Sequence, residues 1–230
     1  MDQALLDLLR SVDTPTVCNA IEVAQGRRGF AGFTRGTPVA TAPGEVVVGH
    51  AVTARLAARE PPREDPDAIR ARRMAYYRAM WEAPKPALAV VEDLDAPDCI
   101  GAFWGEVNTT LHKALGVAGA LTNGVVRDLG DLPLGFPVVA GSVGPSHGFV
   151  HVREVGTPVT VFGLLVAQGD LVHADRHGAV VVPPDVMPLL AESVRKLRDS
   201  EQVILGPSRR GFARWEEFEA AWAAFERARV

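Results

Sequence analysis

The sequence predicts an α/β fold built as a single domain over residues 1–230, with helices at both ends of the chain. Apolar, β-branched runs alternate with helical segments through the middle of the chain, which is typical of a sheet layered with helices. Short strands separated by glycines follow, and two helices close the sequence. With 230 residues the chain is long enough to bury one substantial core, and no repeat or linker divides it.

The first half of the chain supplies two helices, a strand, a third helix and another strand. Leucines at helical spacing in residues 3–12 predict the first helix, and Thr14-Pro15-Thr16 provides the start of the second. The segment GEVVVGHAVTARLA, residues 44–57, follows a Pro-Gly pair and predicts a strand. A charged, proline-rich loop then leads into a helix that ends before Pro84, and residues 87–93 (ALAVVED) predict the next strand.

The middle of the chain continues this alternation. Gly105-Glu106 opens a predicted helix, which Gly116 ends. The segment ALTNGVV, residues 120–126, predicts one strand, and an arginine and an aspartate follow it directly. The segment FPVVAGSV predicts the next strand.

The pattern changes after Gly148, where the segments FVHVREVG, PVTVFGLLV and DLVHADRHGAVVVP predict strands joined by turns. Pro183-Pro184 ends this β-rich section. VMPLLAESVRKLRDSEQVIL predicts a helix, and FARWEEFEAAWAAFERARV predicts a second one with Trp215, Phe218, Trp222 and Phe225 along one side. We expect this aromatic side to pack on the core or on a neighbouring subunit.

The composition excludes several classes of protein. The net charge of −4 gives no general attraction for nucleic acid, and no apolar run reaches the roughly 18 residues of a membrane span. The N-terminal segment is acidic and amphipathic, unlike a secretion signal. Cys18 and Cys99 match no zinc or redox spacing. We therefore expect a cytoplasmic protein with reduced core thiols that binds neither nucleic acid nor membrane.

Three familiar catalytic patterns find little support. The Gly144–Gly148 segment matches the G-x-S-x-G pattern of a hydrolase, but a β-like segment follows it where a helix is required. Four histidines of the β-rich half lack an H-E-x-x-H pattern for zinc, and the alternative is that they are hydrogen-bonded turn or pocket residues; they are His147, His151, His173 and His177. A Schiff-base enzyme needs a lysine in an apolar pocket, and only Lys113 of the three lysines remains a candidate.

The pair Arg127-Asp128 is the strongest candidate for a functional site. The planar guanidinium of arginine can hold a carboxylate through two parallel hydrogen bonds, and aspartate is a hard oxygen ligand for Mg²⁺ or Mn²⁺. A surface ion pair that caps a loop is the alternative. Gly105-Glu106 shifts the balance towards a site, because a helix N-terminus there offers free backbone N–H groups to an anion.

These motifs together resemble the RraA-like proteins and the class II 4-hydroxy-4-methyl-2-oxoglutarate aldolases. The resemblance runs from about residue 14 to residue 185 and leaves residues 186–230 as C-terminal helices. The segments that carry it are TPTVCNAI, VVVGHAVTA, the Gly105-Glu106 loop, GALTNGVVRD and GDLVHADRHGAVVVP. It implies a swivelling α/β/β domain that assembles as a homotrimer, or as a hexamer made of two trimers, with sites between subunits.

The resemblance also implies a role for each candidate residue. Arg127 would bind the pyruvate carboxylate, and Asp128 would anchor a divalent metal, Mg²⁺ or Mn²⁺, partly through water. Gly105, Glu106 and Val107 would complete the substrate site. Arg127, Asp128 and Glu106 are therefore the predicted catalytic residues.

Two positions depart from the family pattern. Asn123, a predicted substrate-binding residue, stands where the family commonly has aspartate, and Asn19-Ala20 stands where it has Asp-Ala. Some aldolases of the group also borrow an acidic residue from a neighbouring C-terminal segment. The last helix offers three such residues, Glu216, Glu217 and Glu219, without a match to assign the role.

The function implied is a metal-dependent carbon–carbon lyase that releases pyruvate from a small 2-oxo acid. Substrates of this class are 4-hydroxy-4-methyl-2-oxoglutarate and, by decarboxylation, oxaloacetate. The alternative is a non-catalytic RraA-type regulator that binds and inhibits a ribonuclease or a helicase.

Overall fold

A mixed eight-stranded sheet forms the centre of the computed structural model, which describes residues 2–36 and 38–229. The helices are α1 (Gln3–Arg10), α2 (Thr14–Gln25), α3 (Pro66–Glu82), α4 (Glu106–Ala114), α5 (Leu190–Arg210, after a 3₁₀ turn at Met187–Leu189) and α6 (Trp215–Ala228). The strands are β1 (Val39–Ala40), β2 (Val47–Ala57), β3 (Ala87–Asp93), β4 (Ala102–Trp104), β5 (Val117–Thr122), β6 (Val125–Val126), β7 (Val138–Ala140), β8 (Ser142–Val143), β9 (His151–Val155), β10 (Val159–Val161), β11 (Leu164–Val166), β12 (Leu171–Asp175) and β13 (Gly178–Val181).

The strand order of the large sheet is β1-β7-β5-β3-β2-β12-β13, and β9 pairs with the far end of β2. The pairs β2–β3, β3–β5 and β5–β7 are parallel, while β12 and β9 run antiparallel to β2. The central strands are apolar throughout because both faces of the sheet are covered. The predicted α/β fold with helices at both ends is confirmed.

Alternating side chains of β3 enter two separate cores. Ala89 and Val91 pack with α3 on one face, while Leu88 and Val90 pack with the β10–β11 hairpin on the other. A third core joins β12 and β13 to α1, α2 and α5. The layers are therefore helix, sheet and hairpin, as the α/β/β expectation requires.

The predicted strand over residues 120–126 is wrong as a single element. β5 ends at Thr122, and the chain turns at Asn123-Gly124 before β6 begins. The Thr122 hydroxyl accepts a hydrogen bond from the Gly124 N–H, and the Gly124 carbonyl accepts one from Gly141. β6 consequently leaves the large sheet and joins β4 and β8 in a separate parallel sheet of three strands.

The C-terminal helices also differ in length from the prediction. α5 does not end near residue 205 but continues to Arg210 with Pro207 inside it, and α6 then packs back against α5. Phe218, Trp222 and Phe225 of α6 form a run of contacting rings with Trp215. Trp215 and Trp222 remain 65% and 41% exposed, so the aromatic side is covered only in part within one chain. None of the helices in the described part of the chain combines the length and apolarity needed to cross a bilayer.

Candidate functional site

The small parallel sheet brings the two predicted site segments together. β4 and β6 are neighbours, and Trp104 pairs with Val126, so the carboxyl ends of both strands meet. The Arg127 N–H donates to the Trp104 carbonyl at 2.8 Å and extends this pairing by one residue. Gly105, which caps α4, therefore lies beside Arg127 and Asp128.

Asp128 adopts a backbone conformation that is uncommon for a residue with a side chain. Its φ is +55°, in the left-handed region, which aspartate tolerates better than most residues. The Asp131 N–H donates to the Asp128 carbonyl at 2.9 Å and closes the turn that follows. Such conformations concentrate at functional sites, where the surrounding structure holds them in place.

Gly105 leaves the space that the two charged side chains occupy. A Cβ at this position would lie 2.5 Å from Asp128 Oδ2 and 2.8 Å from Arg127 Nε. Any larger residue would therefore displace one or both side chains. The requirement for glycine here is one of close approach, since its φ of −132° is open to every residue.

The Asp128 carboxylate lies at the N-terminus of α4. Its Oδ2 accepts a hydrogen bond from the Glu106 N–H at 3.1 Å and lies 3.4 Å from Arg127 Nε. The positive end of the helix dipole favours a carboxylate there. The ion pair with Arg127 adds little stability because both side chains are about one-third exposed.

The Arg127 guanidinium is not committed to protein acceptors. At 3.4 Å its Nε forms an ion pair with Asp128 without hydrogen-bond geometry, and this buried Nε–H donates to none of the described residues. The first N–H groups of a helix have no partner inside it, so Val107 and Asn108 add backbone donors to the same place. A guanidinium and free helix N-terminal amides are groups that anions bind.

Arg127 lines a cleft of about 520 Å³ with three walls. The start of α4 forms one wall through Gly105, Val107 and Asn108, and the loop between β8 and β9 forms a second. The third wall is one face of α3, on which Ile69, Arg73 and Tyr77 follow each other at intervals of four. Asp128 and Glu106 lie next to the cleft rather than in its lining.

Sequence reasoning missed the α3 wall. His147, in the loop between β8 and β9, and His151, the first residue of β9, line the cleft, and each ring Nδ1 lies 2.7 Å from a backbone carbonyl of that loop. Both are thus hydrogen-bonded pocket residues, which was the alternative to a zinc site. The spacing of Ile69, Arg73 and Tyr77 was visible in the sequence, but what the helix faces was not. Burial raises the pKa of the Tyr77 phenol, and the charge of Arg73 lowers it in part.

Asn123 does not join the cleft lining. Its Oδ1 accepts a hydrogen bond from the Asp93 N–H at 2.7 Å, and its Nδ2 donates to the Asp93 carbonyl at 3.0 Å. The Asn123 side chain thus makes with Asp93, the last residue of β3, the two hydrogen bonds that the backbone of a neighbouring strand would make. Asn19 is also remote from Arg127, because it lies on α2 and lines another pocket with Phe33 and His177.

The remaining histidines have separate structural partners. His173 is buried between the Thr14 hydroxyl and the carbonyls of Leu9 and Val12, and burial lowers its pKa. The His177 ring contacts the Asp175 carboxylate at 3.1 Å. Residues 2–36 and 38–229 contain no group of three or more His, Cys, Asp or Glu side chains placed to hold a metal ion.

The lysines are also engaged elsewhere. Lys113 Nζ donates to the Leu134 carbonyl, Lys85 Nζ donates to two backbone carbonyls, and Lys196 pairs with Glu192. None of them lines the Arg127 cleft. Among the acidic residues of α6, Glu217 accepts a hydrogen bond from the Ala213 N–H just before its own helix.

The donor set beside Arg127 fits a hydrated divalent cation. Mg²⁺ is typically held by one or two carboxylates and completes its shell with water and substrate oxygens. Asp128 Oδ2 is oriented by the Glu106 N–H, and Oδ1 accepts no hydrogen bond from the described residues. The Glu106 side chain is exposed in the first turn of α4 and offers a second carboxylate.

Comparisons with known proteins identify relatives of the chain. A protein of Halalkalibacterium halodurans named "Putative 4-hydroxy-4-methyl-2-oxoglutarate aldolase" is 27% identical over 186 residues, which is 80% of each chain. The "Uncharacterized protein MJ0644" of Methanocaldococcus jannaschii is 31% identical over 105 residues, 45% of this chain and only 50% of that protein.

A solved structure has the same fold over nearly its full length. It is Streptomyces coelicolor RraAS2, titled an unusual member of the RNase ES inhibitor RraA protein family, and it is 28% identical to this chain. The TM-score is 0.64, and the match covers 96% of this chain and 97% of that one. The RraA-like family, described as Aldolase/RraA, matches residues 14–181, which contain β4, β6 and the whole cleft. The chain therefore belongs to the RraA-like family.

Proposed function

We propose that the chain is a divalent-metal-dependent carbon–carbon lyase that releases pyruvate from 2-oxo acids. The reactions are those of a 4-hydroxy-4-methyl-2-oxoglutarate aldolase with oxaloacetate decarboxylase activity. The observation that carries the proposal is the Arg127–Asp128 pair, held at the N-terminus of α4 beside a cleft. The name of the H. halodurans relative supports the same reaction class.

Arg127 holds the substrate carboxylate in this proposal. Its guanidinium lines the cleft and donates no hydrogen bond to the described residues, so its fork is available to two carboxylate oxygens. The Val107 N–H at the start of α4 adds a backbone donor. The Glu106 N–H is already taken by Asp128, so it orients that carboxylate instead.

Asp128 anchors the metal, with Glu106 as the second carboxylate beside it. A bound Mg²⁺ or Mn²⁺ would supply Lewis-acid stabilisation of negative charge on the 2-oxo oxygen of the substrate. Asp128 is oriented for this by the Glu106 N–H and by its left-handed backbone, both fixed before any substrate arrives. Gly105 keeps the space above the helix open for both charged side chains.

The bond that breaks joins C3 and C4 of the substrate in both reactions. In the aldol cleavage the 4-hydroxyl group loses its proton and becomes the ketone of a departing second pyruvate. The electrons of the C3–C4 bond move towards the 2-oxo group, and C3 is then protonated to give the first pyruvate. In oxaloacetate the same bond releases CO₂. Arg127 keeps the reacting carbons in place throughout, because the carboxylate it holds is unchanged in either reaction.

A pyruvate-release assay tests the proposal with oxaloacetate and 4-hydroxy-4-methyl-2-oxoglutarate as substrates. EDTA should abolish release, and Mg²⁺ or Mn²⁺ should restore it. Arg127→Lys should lower kcat/KM by roughly tenfold to a hundredfold, because lysine cannot make the forked pair of charge-assisted hydrogen bonds. Arg198→Lys on the exposed side of α5 is the matched control. Release at the parental rate by Arg127→Lys would contradict the assignment.

A Schiff-base lyase predicts a different result in the same assay. Borohydride with pyruvate would then trap an adduct on Lys113, whereas the metal-dependent reaction leaves that lysine unmodified. The hydrogen bond from Lys113 to the Leu134 carbonyl favours the second outcome.

A regulator that inhibits a ribonuclease by protein contact is the second candidate function. The likeness to RraAS2 favours it, as do the exposed apolar side chains of Leu129, Leu134 and Phe149 near the cleft. A pull-down with purified ribonuclease separates the two functions. Capture that EDTA and Arg127→Lys leave unchanged would support the regulator, while metal-dependent pyruvate release without capture would support the lyase.

We propose that the chain assembles as a homotrimer or as a hexamer of two trimers, with the cleft at a subunit boundary. Val107 and Leu134 are 74% and 90% exposed, and both flank the site segments. Exposed apolar side chains mark an interaction surface where they cluster, so the proposal requires these two to lie in one buried contact between subunits. Sedimentation at several protein concentrations should give the mass of three or six chains.

A further inference from the structure

The α3 wall of the cleft carries a second guanidinium, Arg73. Ile69, Arg73 and Tyr77 are spaced four residues apart, so all three project from one face of the helix, and all three line the cleft. Arg73 and Arg127 therefore share one cavity while belonging to different walls. No acidic side chain is among the described residues that line it.

Arg73 is not neutralised by a neighbour. It forms no ion pair and no side-chain hydrogen bond with the described residues, in contrast to the adjacent Arg72, which is bonded to Glu64. Glu64 also pairs with Arg153, so this acidic group is engaged by two other arginines. Arg73 has no acidic partner and Arg127 is paired only through its Nε with Asp128, so the cleft favours a ligand with two negative groups.

The Arg73 side chain is exposed, and its neighbours in the cleft add a hydrogen-bond donor and apolar surface. Burial keeps the pKa of the Tyr77 phenol above its usual value, so its hydroxyl remains a donor at neutral pH. Phe103 of β4 and Val150 before β9 make other parts of the cleft lining apolar, which suits the carbon chain between two carboxylates. The volume of about 520 Å³ leaves room beyond a three-carbon 2-oxo acid held at Arg127.

We propose that Arg73 binds the second carboxylate of a dicarboxylic 2-oxo acid whose first carboxylate is held by Arg127. Arg73 would thereby select dicarboxylic over monocarboxylic substrates, an inference that rests on the proposed lyase function. In 4-hydroxy-4-methyl-2-oxoglutarate the second carboxylate keeps its charge while the C3–C4 bond breaks. In oxaloacetate that carboxylate leaves as neutral CO₂, so a cation that holds it opposes the reaction.

The two reactions consequently give different signatures for Arg73→Gln, which kcat and KM measured separately distinguish. For 4-hydroxy-4-methyl-2-oxoglutarate, kcat/KM should fall by about tenfold to a hundredfold through loss of a charge-assisted contact. For oxaloacetate, KM should rise while kcat stays level or increases. For the monocarboxylic 4-hydroxy-2-oxopentanoate, kcat/KM should change less than about threefold. Arg70→Gln, an exposed arginine of α3 outside the cleft lining, is the matched control.

Ligand binding to the intact protein separates this inference from the lyase function itself. By titration calorimetry, the parent should bind 2-oxoglutarate at least tenfold more tightly than 2-oxopentanoate, and Arg73→Gln should remove that difference. Equal affinities in the parent, or an equal loss for both ligands, would overturn the role of Arg73 even if pyruvate is released normally. Absence of pyruvate release from every substrate would instead overturn the lyase function, and the titration would still decide whether Arg73 recognises the second carboxylate.

Discussion

His112 on α4 should make the fold sensitive to mild acid. The ring is fully buried, Nδ1 lies 2.6 Å from the Asn108 carbonyl, and Nε2 lies 3.0 Å from the Tyr76 hydroxyl. The carbonyl requires a proton on Nδ1, and the hydroxyl can then donate to an unprotonated Nε2. Burial lowers the pKa of His112 to about 4, and the Asn108 hydrogen bond raises it only in part.

The sign and size of the effect follow from this pKa. An unfolded histidine titrates near 6.5, so below that pH the unfolded chain binds a proton that the folded chain excludes. The stabilisation is complete above pH 6.5 and is lost progressively as the pH falls towards 4. Each pH unit in this window removes about 1.4 kcal/mol from the free energy of unfolding, so at pH 5 the loss is about 2 kcal/mol.

Urea unfolding followed by circular dichroism at pH 7, 6 and 5 measures this effect, at one protein concentration and ionic strength. His112→Gln cannot titrate, yet its amide oxygen can still accept a hydrogen bond from the Tyr76 hydroxyl. Between pH 7 and pH 5 its free energy of unfolding should therefore fall by about 2 kcal/mol less than that of the parent. The difference between the two proteins is informative because His173, also buried with a lowered pKa, acts equally in both. His50→Gln, a partly exposed histidine of β2, is the control. Parallel stability curves for the parent and His112→Gln would refute the reasoning.

Three further predictions concern other positions. Gly105→Ala places a Cβ 2.5 Å from Asp128 Oδ2, so kcat/KM for pyruvate release should fall at least tenfold with circular dichroism unchanged, and full activity would show that the close approach is unimportant. Asn123→Asp removes the donor to the Asp93 carbonyl and places a charge beside it, so the free energy of unfolding in urea should fall by about 1–3 kcal/mol, whereas an unchanged midpoint would contradict this role. Truncation after Arg210 removes α6 and its half-exposed rings, and sedimentation should then show a smaller assembly; an unchanged mass would mean that α6 covers only its own chain.

The long elements of this fold were predictable because their signals are local. The apolar run of β3 and the leucine spacing of α1 each determine one type of structure, and both appear where expected. The break at Asn123-Gly124 was not predictable, because the apolar pattern continues across it. What divides β5 from β6 is pairing with β4 and β8, which are distant in sequence.

The residues of the candidate site also fall into those that the sequence predicted and those that it did not. Arg127 and Asp128 could be selected from their position after an apolar run, and Gly105-Glu106 from its position before a helix. The role of Asn123 could not be predicted, because its hydrogen-bond partner is the backbone of another strand. Arg73 belongs to a helix face visible in the sequence, but only the packing of α3 places that face on the cleft.

The three-stranded sheet has a consequence for how new specificities could arise. β4, β6 and β8 each lead directly into a segment beside or lining the cleft, namely the start of α4, Arg127-Asp128 and the loop that carries His147. A substitution in the β4–β6–β8 sheet would shift all three segments at once and disturb the groups proposed for catalysis. α3 is not connected to any of these three strands, so residues on its cleft face can be replaced without shifting them. Mutant libraries confined to Ile69, Arg73 and Tyr77 should therefore change the accepted substrate while Arg127 and Asp128 keep their positions.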